Sequence, residues 1–342
     1  MYTENNISKR VYKAGSDDTD LTGTTTPVVT KKLDTDLYDK KMLQLANLPP
    51  LRVNASSSTS TLLIAATSSA LWPVKTVYPN HGALLPFNRI VAYYGNFYST
   101  RMGVLGEYKE AELLPKLNGE VARWEKADLS TPVIPAIHYI AAVAQADKGK
   151  DGDYLARMPD SEIDKAIALA KKINGIVFLD IQFGRSTVDA EVLALKKYLM
   201  MPEVHLGLDP EFAMKDKKKP GDYIGTLDAA EINQAAKILA DIVKENNLPP
   251  KILIVHRFTE AMVTNYKNIK PLPEVQVVIE MDGWGSPQLK KATYEHVIYD
   301  EPVQFSGIKL FYKNDLRKPS TRMLTTEEIL DLQPQPSYIQ YQ

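Results

Sequence analysis

Short apolar segments alternate with helical segments along most of this chain, and this alternation limits the folds open to it. Eight segments have the length and the β-branched or aromatic content of strands: residues 89–95, 131–141, 175–182, 204–212, 251–258, 275–282, 306–312 and 337–341. A helical pattern separates each of them from the next. Strict alternation of this kind indicates βαβ units and a parallel sheet. Eight such units match a (β/α)8 barrel.

The alternative architecture is an open doubly wound sheet, which carries a glycine-rich phosphate-binding turn after its first strand. Here Gly95 is followed by Asn96, Phe97 and Tyr98, so the G-x-G-x-x-G pattern is absent at this position. We therefore predict the α/β class and a single (β/α)8 TIM barrel over residues 81–342. The last strand is expected to pair with the first and to close the barrel.

Helix starts are predicted from residues that cap the first turn. Three pairs have capping-box spacing: Ser161 with Asp164, Asp228 with Glu231, and Thr325 with Glu328. The helix that follows the third strand lacks such a pair. Ser186 is its expected cap.

Residues 1–80 differ in composition from the rest of the chain and form a polar extension. Residues 16–26 and 54–61 are low in complexity and rich in Thr and Ser, so they bury too little apolar surface to offset the entropy of ordering. Residues 33–48 are amphipathic and predict one helix, which ends before two prolines. We interpret the extension as a partly disordered linker or anchor that docks to a larger assembly. The alternative is a disordered tail with no role in the mature fold.

Charge and cysteine content exclude several kinds of partner and site. The net charge of −1 gives no electrostatic reason to expect nucleic acid or an anionic membrane as a partner. A chain without cysteines forms neither disulfides nor thiolate metal sites. Residues 61–74 are apolar, but they are too short and too interrupted to span a bilayer. We expect an extracellular or cell-surface protein without a transmembrane segment, although residues 1–10 are not a secretory signal.

Polar and aromatic side chains follow nearly every predicted strand. In a barrel the carboxyl ends of all strands face one mouth, and catalytic groups lie there. Asp180 and Gln182 are two residues apart, so their side chains leave the same face of the third strand, and Asp209 and Glu211 repeat this spacing on the fourth. Glu280 lies deeper in its strand and is expected in a buried ion pair. The other strand-end candidates are Tyr93, Tyr94, His138, His256, Arg257, Asp282, Trp284, Lys309 and Tyr312.

Several acids around one mouth, interleaved with aromatic rings, suit carbohydrate chemistry. Paired carboxyl groups serve as the acid and as the nucleophile or base in glycoside hydrolysis. We expect Glu211 to be the catalytic acid/base, with Asp282 or Asp180 as its partner. The expected substrate-binding residues are Tyr93, Tyr94, His138, Gln182, Asp209, His256, Arg257, Trp284, Lys309 and Tyr312.

Most of these candidates also have a purely structural interpretation. Asp180 would then form an internal ion pair with Lys309 or Arg257, and Asp209 before Pro210 would cap a turn. The two strand-end histidines would be hydrogen-bonded core residues. The same histidines and acids could instead bind a divalent metal ion, but neither H-x-H nor H-E-x-x-H spacing occurs. We therefore predict no metal and no cofactor.

Six segments resemble those of a family of uncharacterised bacterial cell-envelope proteins, many of them lipoproteins. They read LDIQFGR (179–185), LDPEF (208–212), PPKILIVHRF (249–258), DGWGSP (282–287), KLFY (309–312) and PQPSYIQYQ (334–342). The resemblance covers about residues 86–342, in order. It implies one domain in an envelope setting, and it implies no particular reaction.

A more distant similarity is to chitinase-like glycosidases of family 18, whose fourth strand ends in D-x-x-D-x-D-x-E. Aligned on Asp180, that pattern puts Gln182 where the family has its catalytic Glu, and Phe178 where it has an Asp. An amide supplies no titratable proton. The similarity therefore implies that another acid such as Glu211 acts, or that the site binds sugar without cleaving it.

Two hypotheses follow for the function. The first is a glycoside hydrolase-like enzyme that acts on a glycan or cell-envelope polymer at the carboxyl-end mouth of the barrel. The second is a non-catalytic barrel that binds a glycan or serves as a structural subunit of a surface or virion assembly, tethered by residues 1–80. An open mouth with two carboxyl groups about 5–10 Å apart favours the enzyme. Acids held in ion pairs under a filled mouth favour the second hypothesis.

Overall fold

Eight strands form a closed barrel in the structure, a computed structural model that describes residues 32–49, 70–215 and 218–342. All pairings within the barrel are parallel, and the C-terminal strand pairs with both its predecessor and the first strand. The predicted (β/α)8 barrel is therefore confirmed, including its closure. The barrel strands are β1 (Arg89–Gly95), β2 (Val133–Ala144), β3 (Ile176–Gly184), β4 (Val204–Ala213), β5 (Lys251–Arg257), β6 (Val275–Met281), β7 (Phe305–Leu310) and β8 (Tyr338–Tyr341).

Helices surround the barrel in the predicted positions, with two local differences. The helix that follows the third strand is split at Leu195, and the β5–β6 connection contains the short 3₁₀ turns Glu260–Met262 and Tyr266–Asn268. The α-helices are α1 (Thr35–Ala46), α2 (Val104–Glu107), α3 (Glu110–Ala127), α4 (Asp160–Lys172), α5 (Val188–Ala194), α6 (Lys196–Leu199), α7 (Ala229–Glu245), α8 (Pro287–Tyr294) and α9 (Thr326–Leu330). A π-helical turn, Glu295–Tyr299, continues α8.

The predicted helix caps are partly confirmed. Capping boxes begin α7 and α9, as their sequence spacing predicts. The box predicted for α4 is wrong: the N-cap is Pro159, two residues before Ser161, and Asp160 and Glu162 provide negative charge near the N-terminus of the helix. The cap predicted for α5 is also wrong, because Thr187 accepts the hydrogen bond from Ala190 N, while the Ser186 hydroxyl donates to Glu191.

The amino end of the barrel is filled with apolar side chains. Ile90, Phe178 and Ile252 belong to one buried cluster inside the barrel, and α1 adds Tyr38 and Met42 to it. A second, larger cluster lies between the outer faces of the strands and the surrounding helices. The buried polar side chains of this end, His205 and Gln276, are hydrogen-bonded to the backbone at Ile252 and Leu85, and the charged side chains that meet inside the barrel lie in its carboxyl-end half.

The amphipathic helix predicted for residues 33–48 is confirmed as α1. Asn47 follows this helix and donates from its Nδ2 to the carbonyl oxygens of Leu330 and Leu332, at 3.1 and 3.0 Å. Residues 32–342 form one compact unit. The polar segments 16–26 and 54–61 lie outside the described residues, so the role of the extension as an anchor stays a prediction. Among the described residues, no helix combines the length and apolar character needed to cross a membrane.

Candidate active site

The carboxyl-end half of the barrel interior is polar. Side chains alternate along a strand, so every second residue faces inward. Several of these side chains meet across the barrel from strands that are not neighbours: Asp180 of β3 contacts Tyr94 of β1 and His256 of β5. We call this group the interior polar cluster, and all of its members are buried: Tyr94, His138, Asp180, Gln182, Asp209, His256, Glu280, Asp282, Lys309 and Gln340.

Asp180 lies at the centre of the interior polar cluster and has no solvent exposure. Its Oδ2 accepts a hydrogen bond from the Tyr94 hydroxyl at 3.0 Å. Its Oδ1 lies 3.3 Å from Nε2 of His138 and 3.3 Å from Nε2 of His256. Burial alone would raise the pKa of Asp180, but His256 and His138 outweigh it and hold the pKa below its usual value. Asp180 is therefore ionised, and its partners are not the predicted Lys309 or Arg257.

His256 is surrounded by carboxylates. Its Nδ1 lies 2.9 Å from Glu280 Oε2 and 3.3 Å from Asp282 Oδ2, while its Nε2 faces Asp180. Burial lowers the pKa of His256, but the charges of Asp180 and Glu280 outweigh burial and raise that pKa well above its usual value. This environment favours positive charge at the ring. The contacts of Glu280 agree with its predicted buried ion pair.

The other ring nitrogen of His138, Nδ1, contacts two residues of β8. This atom lies 2.5 Å from the Tyr338 hydroxyl and 3.1 Å from Gln340 Nε2, and the ring of His138 stacks on Phe178 with the centroids 5.3 Å apart. Burial lowers the pKa of His138, so this ring is neutral at neutral pH. Tyr338 was not among the candidates from sequence, because it begins β8 and so lies away from the carboxyl strand end, where the candidates were expected.

Two carboxyl groups of β4 lie at the mouth above this cluster. Asp209 Oδ2 accepts from Gln182 Nε2 at 3.4 Å, and its Oδ1 accepts from Glu211 N at 3.1 Å. Burial, with nearby carboxylates, raises the pKa of Asp209 well above its usual value. Glu211 is only partly buried, and burial together with the negative charge of Asp282 raises its pKa to about 7. The mouth therefore presents a carboxyl group that keeps its proton up to neutral pH.

Buried lysines hold the loops after β6 and β7. Lys290 of α8 donates from Nζ to the carbonyl oxygens of Gly283 and Lys309, at 2.7 and 2.6 Å, and Asp315 pairs with it at 3.2 Å. Burial lowers the pKa of Lys290 to about 8. Lys309 itself points inward, with Nζ 3.6 Å from the centre of the Tyr94 ring. Lys290 was missed from the sequence, because a lysine in an amphipathic helix usually faces solvent.

Trp284 stands at the mouth in the loop that Lys290 and Asp315 hold. The indole is 49% exposed, and the Arg317 guanidinium lies 5.1 Å from its ring centre. Asp315 also accepts a hydrogen bond from Gly285 N at 2.9 Å, next to the tryptophan. An exposed tryptophan on a supported loop offers an apolar surface to a ligand.

Three predicted binding residues lie outside the barrel wall and do not join the cluster. The Tyr93 hydroxyl is 3.1 Å from the Tyr312 hydroxyl, and Tyr312 donates to Glu120 of α3 at 2.8 Å. Arg257 is buried, donates to the carbonyl oxygens of residues 259, 260, 263 and 297, and pairs with Glu301. The reason is the two-residue alternation: Tyr94 and His256 face inward, so their neighbours face outward.

Gly207 was also missed from the sequence. It lies on the inner face of β4, where an added Cβ would overlap Asp180 Oδ1 and lie 2.7 Å from His138 Nε2. No larger residue fits at this position, so glycine is required there. A glycine inside a strand pattern signals such a close approach, so the sequence did contain a cue.

Together, the fold and the mouth define a TIM barrel with buried histidines and carboxylates beneath one partly exposed acid, Glu211. No protein-family model matches the chain, and no curated protein matches it. The resemblances to envelope proteins and to family 18 glycosidases therefore stay predictions.

Solved structures with a similar backbone include glycoside hydrolases. A family 5 enzyme from Prevotella bryantii, in complex with a xyloglucan tetradecasaccharide, is 10% identical over 78% of this chain and 92% of its own, with a TM-score of 0.39. The mannanase man26 of Bacillus subtilis is 13% identical over 78% and 88%, with a TM-score of 0.39. A putative α-L-fucosidase from Bacteroides thetaiotaomicron is 11% identical over 86% and 91%, with a TM-score of 0.38. Likeness at this level describes the barrel alone, and we draw no conclusion about the site from it.

Proposed function

We propose that the protein is a glycoside hydrolase-like enzyme that cleaves a glycan or cell-envelope polymer at the carboxyl-end mouth of the barrel. The observation that carries the proposal is Glu211, a partly exposed carboxyl group at the mouth whose pKa is raised to about 7. A general acid must hold its proton at the working pH and still reach the substrate. Glu211 combines both properties.

We assign the second carboxyl role to Asp282 in preference to Asp180. Asp282 follows β6 at the mouth, and its charge acts on Glu211. Asp180 has no exposure and lies beneath the Tyr94 hydroxyl, so a substrate does not reach it in this conformation. Its proposed role is to orient the two histidines below the mouth.

Trp284 is the proposed platform for a sugar ring. Its indole is half exposed on a loop that Lys290 and Asp315 hold, so little ordering entropy is lost when a ligand stacks on it. Gln182, Asp209 and Lys309 are the proposed polar groups beside it. Tyr93, Arg257 and Tyr312 are left out of the site because they face the helices.

A non-catalytic glycan-binding barrel is the second candidate, and one observation favours it. Both Asp180 and Asp282 lie within ion-pair distance of His256, and both are buried. Under this alternative, Glu211 and Trp284 still form a binding surface, but no bond is cleaved. Both candidate functions imply an extracellular or surface location and a carbohydrate partner.

A digestion screen against glycans and envelope polymers separates the two candidates. Release of reducing ends is measured for the wild type, for Glu211→Gln, and for Glu203→Gln as a control. Glu203 immediately precedes the same strand at the other end of the barrel, so its loss should leave cleavage intact. We expect Glu211→Gln to reduce cleavage about 10²–10⁴-fold. Equal cleavage by Glu211→Gln and the wild type contradicts the assignment, and binding without cleavage by the wild type supports the second candidate.

A further inference from the structure

We propose that His138, Asp180 and His256 bind one divalent transition-metal ion inside the barrel. One ligand atom from each of the three residues lies within 4.8 Å of the other two, and Asp180 Oδ1 faces Nε2 of both histidines. Two imidazoles and one carboxylate form a common ligand set for zinc and related ions. Calcium and magnesium prefer oxygen ligands in larger number, so they fit this set less well.

The distances from Asp180 to the two histidine nitrogens suit coordination. Asp180 Oδ1 lies 3.3 Å from each Nε2 atom. In a tetrahedral site with bonds of about 2.0–2.2 Å, neighbouring ligand atoms are about 3.3–3.6 Å apart. The three atoms are also fully buried and have no hydrogen-bond partner among the residues that the structure describes. Buried polar atoms are normally paired, so three that converge on one point indicate a ligand.

The remaining polar atom of each proposed ligand contacts a residue that would orient it. Asp180 Oδ2 accepts from Tyr94, and His256 Nδ1 lies 2.9 Å from Glu280. His138 Nδ1 lies 2.5 Å from the Tyr338 hydroxyl. When Nδ1 carries the proton and donates to that oxygen, the Nε2 lone pair points to the centre. Metal-binding histidines characteristically donate their other ring nitrogen to a carboxylate or another oxygen in this way.

Space and charge at the centre agree with a cation. Gly207 leaves room beside Asp180 Oδ1 and His138 Nε2, and any larger residue there would fill it. Glu280 Oε1 and Asp282 Oδ1 are buried next to the site without a hydrogen-bond partner in the described part of the chain. Several buried carboxylates in one layer are unfavourable unless positive charge compensates them.

Metal retention tests this proposal independently of any catalytic activity. The untagged full chain is unfolded and refolded with Zn²⁺, because the ligands are fully buried, and it is then passed through a chelating gel-filtration step. Metal per chain is measured by mass spectrometry. We expect one retained ion for the wild type and almost none for Asp180→Asn, an isosteric change that replaces the carboxylate with a weak ligand.

A matched pair of histidine variants controls for the loss of a buried ring. His138 and His205 both lie against Phe178, each with ring centroids 5.3 Å from it, and both are hydrogen-bonded through Nδ1, His138 to Tyr338 and Gln340 and His205 to the backbone N–H of Ile252. We expect His138→Phe to lose the ion and His205→Phe to retain it. Equal retention, or equal loss, in the two variants overturns the assignment.

A second measurement keeps the test decisive if the variants do not fold. The wild type refolded with Co²⁺ should show the intense visible absorption of a four-coordinate cobalt site. Absence of this absorption together with absence of retained zinc overturns the metal site and leaves the proposed hydrolase untouched. Retained ion without glycan cleavage supports the metal site and contradicts the hydrolase, so the two proposals fail separately.

Discussion

Replacing Tyr94 with phenylalanine tests whether Asp180 is an ionised, buried anchor of the site. The Tyr94 hydroxyl donates to Asp180 Oδ2 at 3.0 Å, and Asp180 has no solvent exposure. The substitution removes one oxygen and keeps the ring, so it creates no large cavity. A hydrogen bond to a charged group contributes about 1.5–3 kcal/mol. We expect Tyr94→Phe to lower the free energy of unfolding by about that amount, a large part of the ~5–15 kcal/mol typical of a domain.

Tyr93→Phe is the matched control, because it makes the same change one residue away on the outer face of the same strand. The Tyr93 hydroxyl lies 3.1 Å from the neutral Tyr312 hydroxyl, which keeps its own bond to Glu120. A neutral hydrogen bond contributes about 0.5–1.5 kcal/mol. Urea unfolding followed by tryptophan fluorescence measures both variants. Equal destabilisation, or a larger effect for Tyr93→Phe, would refute the assignment of Asp180 as a buried charge.

The same two variants allow a second measurement, zinc affinity, which a purely structural role of the Tyr94 hydroxyl would not affect. If Asp180 binds a metal ion, Tyr94 orients that ligand. Loss of such an orienting contact weakens metal affinity about 10–100-fold. Competition with a chelator should therefore show weaker zinc binding for Tyr94→Phe and unchanged binding for Tyr93→Phe. Unchanged binding in both variants would separate the hydroxyl from the proposed metal site.

Three further outcomes follow from the site and the fold. Glycan cleavage should fall about tenfold per pH unit above about 7, because Glu211 must be protonated to act and its pKa is about 7. A pH profile of kcat/KM that stays flat through this range contradicts the role of Glu211 as the acid. Trp284→Ala should raise KM for a polymer. It should change the free energy of unfolding by less than about 1 kcal/mol, since the side chain is half exposed. A loss in kcat alone would argue against a stacking platform. Truncation after Ser337 removes β8, which pairs with both β1 and β7. Thermal unfolding followed by circular dichroism should then lose its cooperative transition. A transition like that of the full chain would contradict barrel closure.

The fold could be predicted because barrel strands carry strong local signals. Strands buried on both faces are continuous apolar runs, and their alternation with amphipathic helices leaves few architectures. The strand Arg89–Gly95 begins and ends at the predicted residues. The errors are local, as at Ser186, where the neighbouring Thr187 caps the helix. Which of two adjacent hydroxyl residues caps a helix depends on backbone geometry that composition does not determine.

The candidate site could be predicted only in part, because it depends on side-chain direction. Tyr93 and Tyr94 are equally close to the end of β1, but only Tyr94 faces inward. Register also decides contacts: His256 of β5 lies beside Glu280 of β6, a pairing set by the whole sheet. The expected partners of Asp180 were cations near strand ends. Its observed partners are His138 of the neighbouring strand β2 and His256 of β5, which is not a neighbour, and no local pattern indicates this combination.

The proposed general acid is tested most directly by comparing two substrates of one sugar. The sugar is the one released in the digestion screen, and its substrates are the polymer and an aryl glycoside with a strongly activated leaving group, which needs no proton from an acid. We expect Glu211→Gln to lose polymer cleavage about 10²–10⁴-fold and to keep most of its activity on the aryl glycoside. If both activities fall together, or if neither falls, Glu211 is not the general acid.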